Sequence, residues 1–89
     1  MITGKTSTGF EFEIDENVIN DMRILDAVSE VANETNLLAI SFLVDTLLGE
    51  NKERLYKHVA EKNGRVPIDK VNSEITEIFK AFGGAGKNS

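Results

Sequence analysis

Gly86-Lys87, within FGGAGKNS at residues 82–89, is the stretch closest in type to a phosphate-cradling loop. A P-loop needs a glycine five places before the Gly-Lys pair, a Ser or Thr directly after the lysine, and a strand leading in. Here Ala81 holds the glycine position, Asn88 follows Lys87, and a helical pattern leads in. Phosphate chemistry is therefore not expected, and residues 83–89 read as a flexible tail. His58 is the only histidine and sits among lysines. A metal or catalytic role would need a second His or Cys, and the sequence has none. Asp45 interrupts an apolar run. Burial there would raise its pKa, but the pattern favours an exposed helix edge. DENVINDMRILD, residues 15–26, lacks the central glycine and alternating ligands of an EF-hand. No nucleophile, base and orienting group converge, so neither an enzyme, a cofactor nor a metal is expected.

Small, acidic four-helix carriers of phosphopantetheine attach it to a serine directly after an aspartate, and no Asp-Ser pair occurs here. What remains is a small domain whose surface must carry the function. Its 89 residues bury only roughly 60–65% of the surface of the unfolded chain, so association with something else would add materially to stability. The net charge of -5 is uneven. Residues 11–34 hold eight acids and one base, whereas the rest of the chain sums to +2. Nucleic acid is a poor partner for the acidic part, because phosphate binding depends on Lys and Arg. A basic or apolar protein is a better one, although an acidic face also serves solubility alone. With no cysteine, a disulfide framework is excluded, and a reducing compartment is compatible. Met1 to Lys5 carries no apolar signal core, so secretory targeting is not expected.

The elements follow from periodicity. In ITGKTSTGFEFEID, Phe10, Phe12 and Ile14 alternate with Glu11 and Glu13, predicting a hairpin over about residues 2–14 with a turn at Ser7-Thr8-Gly9. Its first strand is Ile2 to Lys5, and its Phe face must pack on helices, since a lone hairpin is marginal. A first helix is predicted over Asn17 to Asn33. Val18, Met22, Leu25, Val28 and Ala32 form its apolar stripe, and Arg23, Asp26, Glu30 and Glu34 form a different, acidic face. Thr35 or Asn36 is expected to cap the next helix.

LLAISFLVDTLL, residues 37–48, is apolar almost all round, with Ser41 and Asp45 as a thin polar line and Gly49 as its C-terminal stop. Twelve residues are too few for a bilayer, which takes about 20. Such a helix is either the centre of a bundle or leaves one side uncovered as a sticky surface. A third helix is predicted from an Asn51 cap to Gly64, with Leu55, Val59 and Tyr56 inward and Lys52, Arg54, Lys57 and Lys62 outward. Pro67 starts the last, whose face is Val71, Ile75, Ile78 and Phe82, widened by Phe79 and ended by Gly83-Gly84. The fold class is thus mainly α (α+β): a small bundle of about four short helices with an N-terminal β-hairpin, one domain over residues 1–82.

From FEFEIDENVINDMRILDAVSEVAN onward, and most in LLGENKERLYKHVAEKNGRVPIDKVNSEITEIFKAFG, the chain resembles the tail assembly chaperones of long-tailed phages and prophages of Gram-positive bacteria. The resemblance covers about Phe10 to Ser89. It rests on the hydrophobic helix ending Leu-Leu-Gly-Glu, on RLY, and on the GRVPI joint before EITEIF. It implies a non-enzymatic assembly factor of the host bacterial cytoplasm, absent from the finished virion. Its partners would be the tape measure protein, whose apolar helices it shields, and the tail tube protein it helps recruit. Many members are also made in a longer, frameshifted form. Gly86-Lys87-Asn88 is compatible with a slip-prone codon run.

The surface expected to hold a client or a second copy is Leu38, Phe42, Leu43 and Leu47, leaving open which of them face inward. Asp26, Glu30 and Glu34 make the acidic face. No membrane and no nucleic acid are implied. Two other classes fit the same residues: a small acidic phage regulator acting on a host protein, and a structural subunit at the head–tail joint.

Overall fold

The computed structural model describes residues 1–33 and 36–87, with side chains placed up to residue 81. β1 (Ile2–Lys5) and β2 (Glu11–Ile14) pair antiparallel, with Ile2 opposite Ile14 and Gly4 opposite Phe12. The alternation expected of this hairpin is present: Phe10, Phe12 and Ile14 are buried while Glu11 and Glu13 are exposed. The turn closes through Thr6 N donating to Phe10 O and Gly9 N donating to Thr6 O, both at 2.9 Å. Gly9 takes φ 95°, a conformation that costs glycine little. The Phe12 ring folds over Gly4, and a Cβ at that position would lie 2.7 Å from Cζ of Phe12.

The first predicted helix is two. α1 (Glu16–Ile19) is a single turn capped by Asp15, whose side chain accepts from Asn17 N at 2.9 Å. The chain then bends at Asn20-Asp21. Asp21 caps α2 (Met22–Ala32) by accepting from Arg23 N at 2.8 Å. Asn and Asp compete with helical hydrogen bonding through their own side chains, so a pair of them favours a break. The break rephases the apolar face. Ile24 and Ala27 are buried and Val28 and Val31 half-buried, whereas Met22, Leu25 and Ala32 of the predicted stripe are exposed.

α3 (Ala39–Leu48) is the centre of the molecule, packed by α1, α2, α4 and α5. Ala39, Ile40, Leu43, Val44, Leu47 and Leu48 are buried; each of the larger aliphatic side chains contributes about 1.5–3 kcal/mol over exposure. Asn36 does not cap the helix as expected: the N-cap position is Leu38, without a side-chain cap bond, and Asn36 Oδ1 accepts from Leu38 N at 3.1 Å in the turn ahead of it. Thr35, the other proposed cap, lies outside the described residues. Gly49 has the positive φ expected of a stop, 50°, but with ψ -116° it turns the chain into a 3-10 turn over Gly49–Asn51. That turn feeds α4 (Lys52–Val59) directly, and Asn51 makes no side-chain cap bond.

α4 ends five residues earlier than predicted, because Ala60 is extended (ψ 143°). Residues 61–65 close a small loop instead: Glu61 N donates to Arg65 O at 2.8 Å, Asn63 Oδ1 accepts from Arg65 N at 2.9 Å, and Gly64 takes φ 87°. Gly64 thus shapes a loop rather than ending a helix. α5 (Ile68–Lys87) buries Val71, Ile75 and Ile78 and half-buries Phe79, as predicted. The Phe82 side chain lies outside the described residues. The helix runs on through Gly83-Gly84, where the sequence predicts its end, as far as Lys87. Glycine is permissive in a helix, costing only about 1 kcal/mol against alanine, and forces no stop.

Candidate partner-binding surface

The four residues expected to hold a client divide into two pairs. Leu43 and Leu47 are buried core residues of α3, so in this fold they serve packing rather than contact. Leu38 is 81% exposed and Phe42 44% exposed, and the step of four residues stacks them along one side of the chain entering and beginning α3. Ser41 and Asp45, the thin polar line, are exposed, and so is Thr46. Asp45 is exposed and accepts from Lys52 Nζ at 2.7 Å. That hydrogen bond and the accompanying charge attraction raise the Lys52 pKa above its ordinary value. Asp45 therefore fastens α3 to α4 on the outside.

Beside Leu38 runs an apolar groove of about 400 Å³ between the start of α3, α4 and the Val66–Ile68 joint. Its floor is Ile40, Val44 and Val71, and its lips are the exposed Leu37, Leu38 and Ile68. The leucine pair lies outside the helix because Asn36 holds the chain in a turn whose carbonyls bond Ala39 N and Ile40 N from residues 36 and 37. Exposed large hydrophobics gathered round a concave apolar surface are characteristic of protein-binding sites rather than of an idle surface. On α2, Asp26 and Glu30 are exposed as expected, and Glu30 accepts from Asn36 Nδ2 at 3.3 Å. Glu34 lies outside the described residues.

One group that pattern reading passed over is Glu74. It is 2% exposed on the inward face of α5, where Oε1 accepts from Thr6 Oγ1 and Oε2 from Thr8 Oγ1, both at 2.8 Å. His58 Nε2 lies 2.9 Å from Thr8 Oγ1, and its ring leans on Phe10 at 5.5 Å between centroids. With the Thr8 proton given to Glu74, His58 donates to the hydroxyl. The Arg54 guanidinium covers the same Phe10 ring at 4.5 Å. Next to this cluster, Glu77 accepts from Ser7 N and Ser7 Oγ, both at 2.8 Å, and these bonds hold its carboxyl below the usual carboxylate pKa. The arrangement ties the hairpin turn to α5 and α4. Its hydroxyl is engaged as donor by a carboxylate, so His58 is not placed to remove that proton. The signal was present in sequence: position 74 falls between 71, 75 and 78 on one helix face, and a carboxylate there demands donors.

Among the described residues there is no cluster of three or more His, Cys, Asp or Glu able to hold a metal ion, and no helix is long and apolar enough to cross a membrane. The fold class is that of a small, mainly helical α+β domain with an N-terminal hairpin. Compared with known proteins, the chain matches no protein-family model, no curated protein and no solved structure.

Proposed function

We propose that this chain is a phage tail assembly chaperone that holds apolar helices of the tape measure protein and helps recruit tail tube subunits. It would act in the host bacterial cytoplasm and leave before the virion is complete. The observation that carries the reading is the Leu37–Leu38 turn with Phe42, apolar and uncovered beside a groove of helix-binding character. The order of motifs from the Leu-Leu-Gly-Glu helix to EITEIF supports the same family. An amphipathic helix laid into such a groove uses the anchors i, i+3/i+4 and i+7, and release needs no covalent step.

The test is co-expression with a tape measure protein, the very long helical chain this reading assigns as client. The wild-type chain keeps that protein soluble, and Leu38→Glu with Phe42→Glu loses it to the pellet while its helix content is unchanged. Both side chains are exposed, so the variant folds. Retention of capture by the folded double variant would refute the assignment. Detection of the chain in purified virions would favour a head–tail structural subunit instead.

A further inference from the structure

The loop between α4 and α5 holds the one Asn-Gly pair of the chain. Of eight asparagines only Asn63 is followed by glycine, and the other seven precede residues that carry a side chain. With no Cβ beside it, the Gly64 amide nitrogen is free to approach the Asn63 side-chain carbonyl carbon. Both residues are exposed, and a Cβ built on Gly64 would meet nothing within 4 Å, so water and base have access. The fold nevertheless ties up both reacting groups. Gly64 N donates to Glu61 O at 2.8 Å, and Asn63 Oδ1 accepts from Arg65 N at 2.9 Å. Glu61 N donates to Arg65 O at 2.8 Å and closes the loop, with the Glu61–Arg65 ion pair at 3.3 Å beside it.

We propose that Asn63 is a self-modification site, a side-chain amide that this loop holds back from cyclising and releases when it opens. The step needs only water. The Gly64 nitrogen gives its proton to solvent base and bonds to Asn63 Cγ, the side-chain nitrogen leaves as ammonia, and a succinimide remains. Water then opens the ring. Entry at Cγ gives aspartate, and entry at the backbone carbonyl of Asn63 gives isoaspartate, whose main chain is longer by one methylene. Water is consumed, ammonia is released and one negative charge is added, with no oxidation. While Gly64 N–H serves Glu61 O the nitrogen keeps its proton, and while Oδ1 serves Arg65 N the side chain is fixed. The two products differ in consequence. Aspartate keeps an oxygen where Oδ1 stands and still accepts from Arg65 N. Isoaspartate shifts Arg65 against Glu61, and Val66 and Ile68, which follow, line the apolar groove beside Leu38. The modification thus acts on that groove from outside it. Its chemistry goes beyond the chaperone reading and does not rest on it.

The test incubates the full chain at mildly alkaline pH, folded or in urea, and follows it by proteolytic mass mapping and isoaspartyl methyltransferase labelling. In urea, Asn63 should convert ahead of the other seven asparagines, mostly to isoaspartate. In the folded chain it should convert at least about tenfold more slowly, because three hydrogen bonds must open together. Hydrogen exchange on the isotope-labelled folded chain should show the Gly64 N–H protected to a similar extent. Arg65→Pro removes the donor to Asn63 Oδ1 and should bring the folded rate toward the urea rate, with helix content checked by circular dichroism. Asn63→Asp should leave the amide signals of Val66 and Ile68 in place, whereas the purified isoaspartyl chain should move them. Equal rates folded and unfolded, a freely exchanging Gly64 N–H, no preference for Asn63 in urea, or unmoved Val66 and Ile68 signals in the isoaspartyl chain would overturn the inference. The exchange measurement needs no variant, so it decides the matter if Arg65→Pro does not fold. Tape measure capture enters none of these measurements, so failure here and failure of the chaperone reading are told apart.

Discussion

Replacing Thr6 by valine tests whether the hairpin is held on the helices by Glu74. Valine keeps the shape of threonine and removes one hydroxyl, yet that hydroxyl works twice. It donates to the buried Glu74 Oε1 at 2.8 Å and accepts from the buried Phe10 N at 3.1 Å. A hydrogen bond to a charged group is worth about 1.5–3 kcal/mol, and a buried donor left unpaired costs about 1–3 kcal/mol. Glu74 keeps Thr8 as a donor, so the two costs do not add in full, and a net loss of about 3 kcal/mol is expected. Against a stability of about 4–13 kcal/mol for a chain of this length, that is a large fraction. The melting temperature should fall by about 12–24 °C, read by circular dichroism and by urea unfolding. A Glu74→Leu background provides the control. There the carboxylate that Thr6 serves is gone, so Thr6→Val should cost only its share from Phe10 N. A loss under about 0.5 kcal/mol, or an equal loss in both backgrounds, would show that Thr6 and Glu74 do not meet in the folded chain.

Ser7 and Glu77 predict a pH dependence. The Glu77 pKa is lowered from 4.5 by the Ser7 N–H and hydroxyl, so its contribution is complete above that value and is lost as pH falls through the folded-state pKa. Ser7→Ala keeps the N–H bond and removes the hydroxyl, so it should partly flatten the fall of the urea midpoint below pH 4.5, and a curve that keeps its full slope would remove the Ser7 hydroxyl as a cause. Gly4→Val should lower the melting temperature through a cost of about 1–3 kcal/mol, because its Cβ would meet the Phe12 ring at 2.7 Å. An unchanged melt would mean that the ring does not lie over Gly4.

The hairpin was legible because Phe10, Phe12 and Ile14 alternate with glutamates and because Thr and Gly residues mark the turn. The inward face of α5 was legible for the same kind of reason: residues 71, 75 and 78 keep one period without interruption. α2 was misphased because two stripes coexist on it. Val18, Met22, Leu25, Val28 and Ala32 satisfy helical spacing as well as Ile24, Ala27, Val28 and Val31 do, and periodicity gives no ground for choosing. Asp21 decides the matter by capping a new helix, a role that a single polar residue does not reveal in a pattern. The end of α4 was hidden similarly. Glu61 and Lys62 are good helix formers, yet the Glu61–Arg65 loop outcompetes helix through tertiary placement of Val59 and Val66. For the surface expected to hold a client, periodicity marked α3 as apolar on nearly every side but held no information on which neighbours would cover it. Burial of Leu43 and Leu47, against exposure of Leu38 and Phe42, is a property of the assembled bundle.

The two stripes of α2 and the all-round apolar α3 have a common energetic consequence. α3 already has three helices and the α1 turn around it, and no described element is left to cover Met22, Leu25, Leu37 and Leu38. Each is well over half exposed, so each forgoes about 1 kcal/mol or slightly more of burial free energy, on the order of 5 kcal/mol together. Rearranging the fold to hide them would uncover the α3 face that holds it together. Among the described residues none can recover that sum, and another chain can. It corresponds to a few-thousand-fold gain in association constant before the costs of ordering and lost translation. Such a gain is enough to hold a helix and too small to make the hold permanent. Obligate interfaces commonly bury 2,000 Å² or more, far beyond what four side chains and a short groove offer. A partner held this way leaves when a better-buried arrangement becomes available, which is the behaviour an assembly chaperone requires and a virion subunit does not.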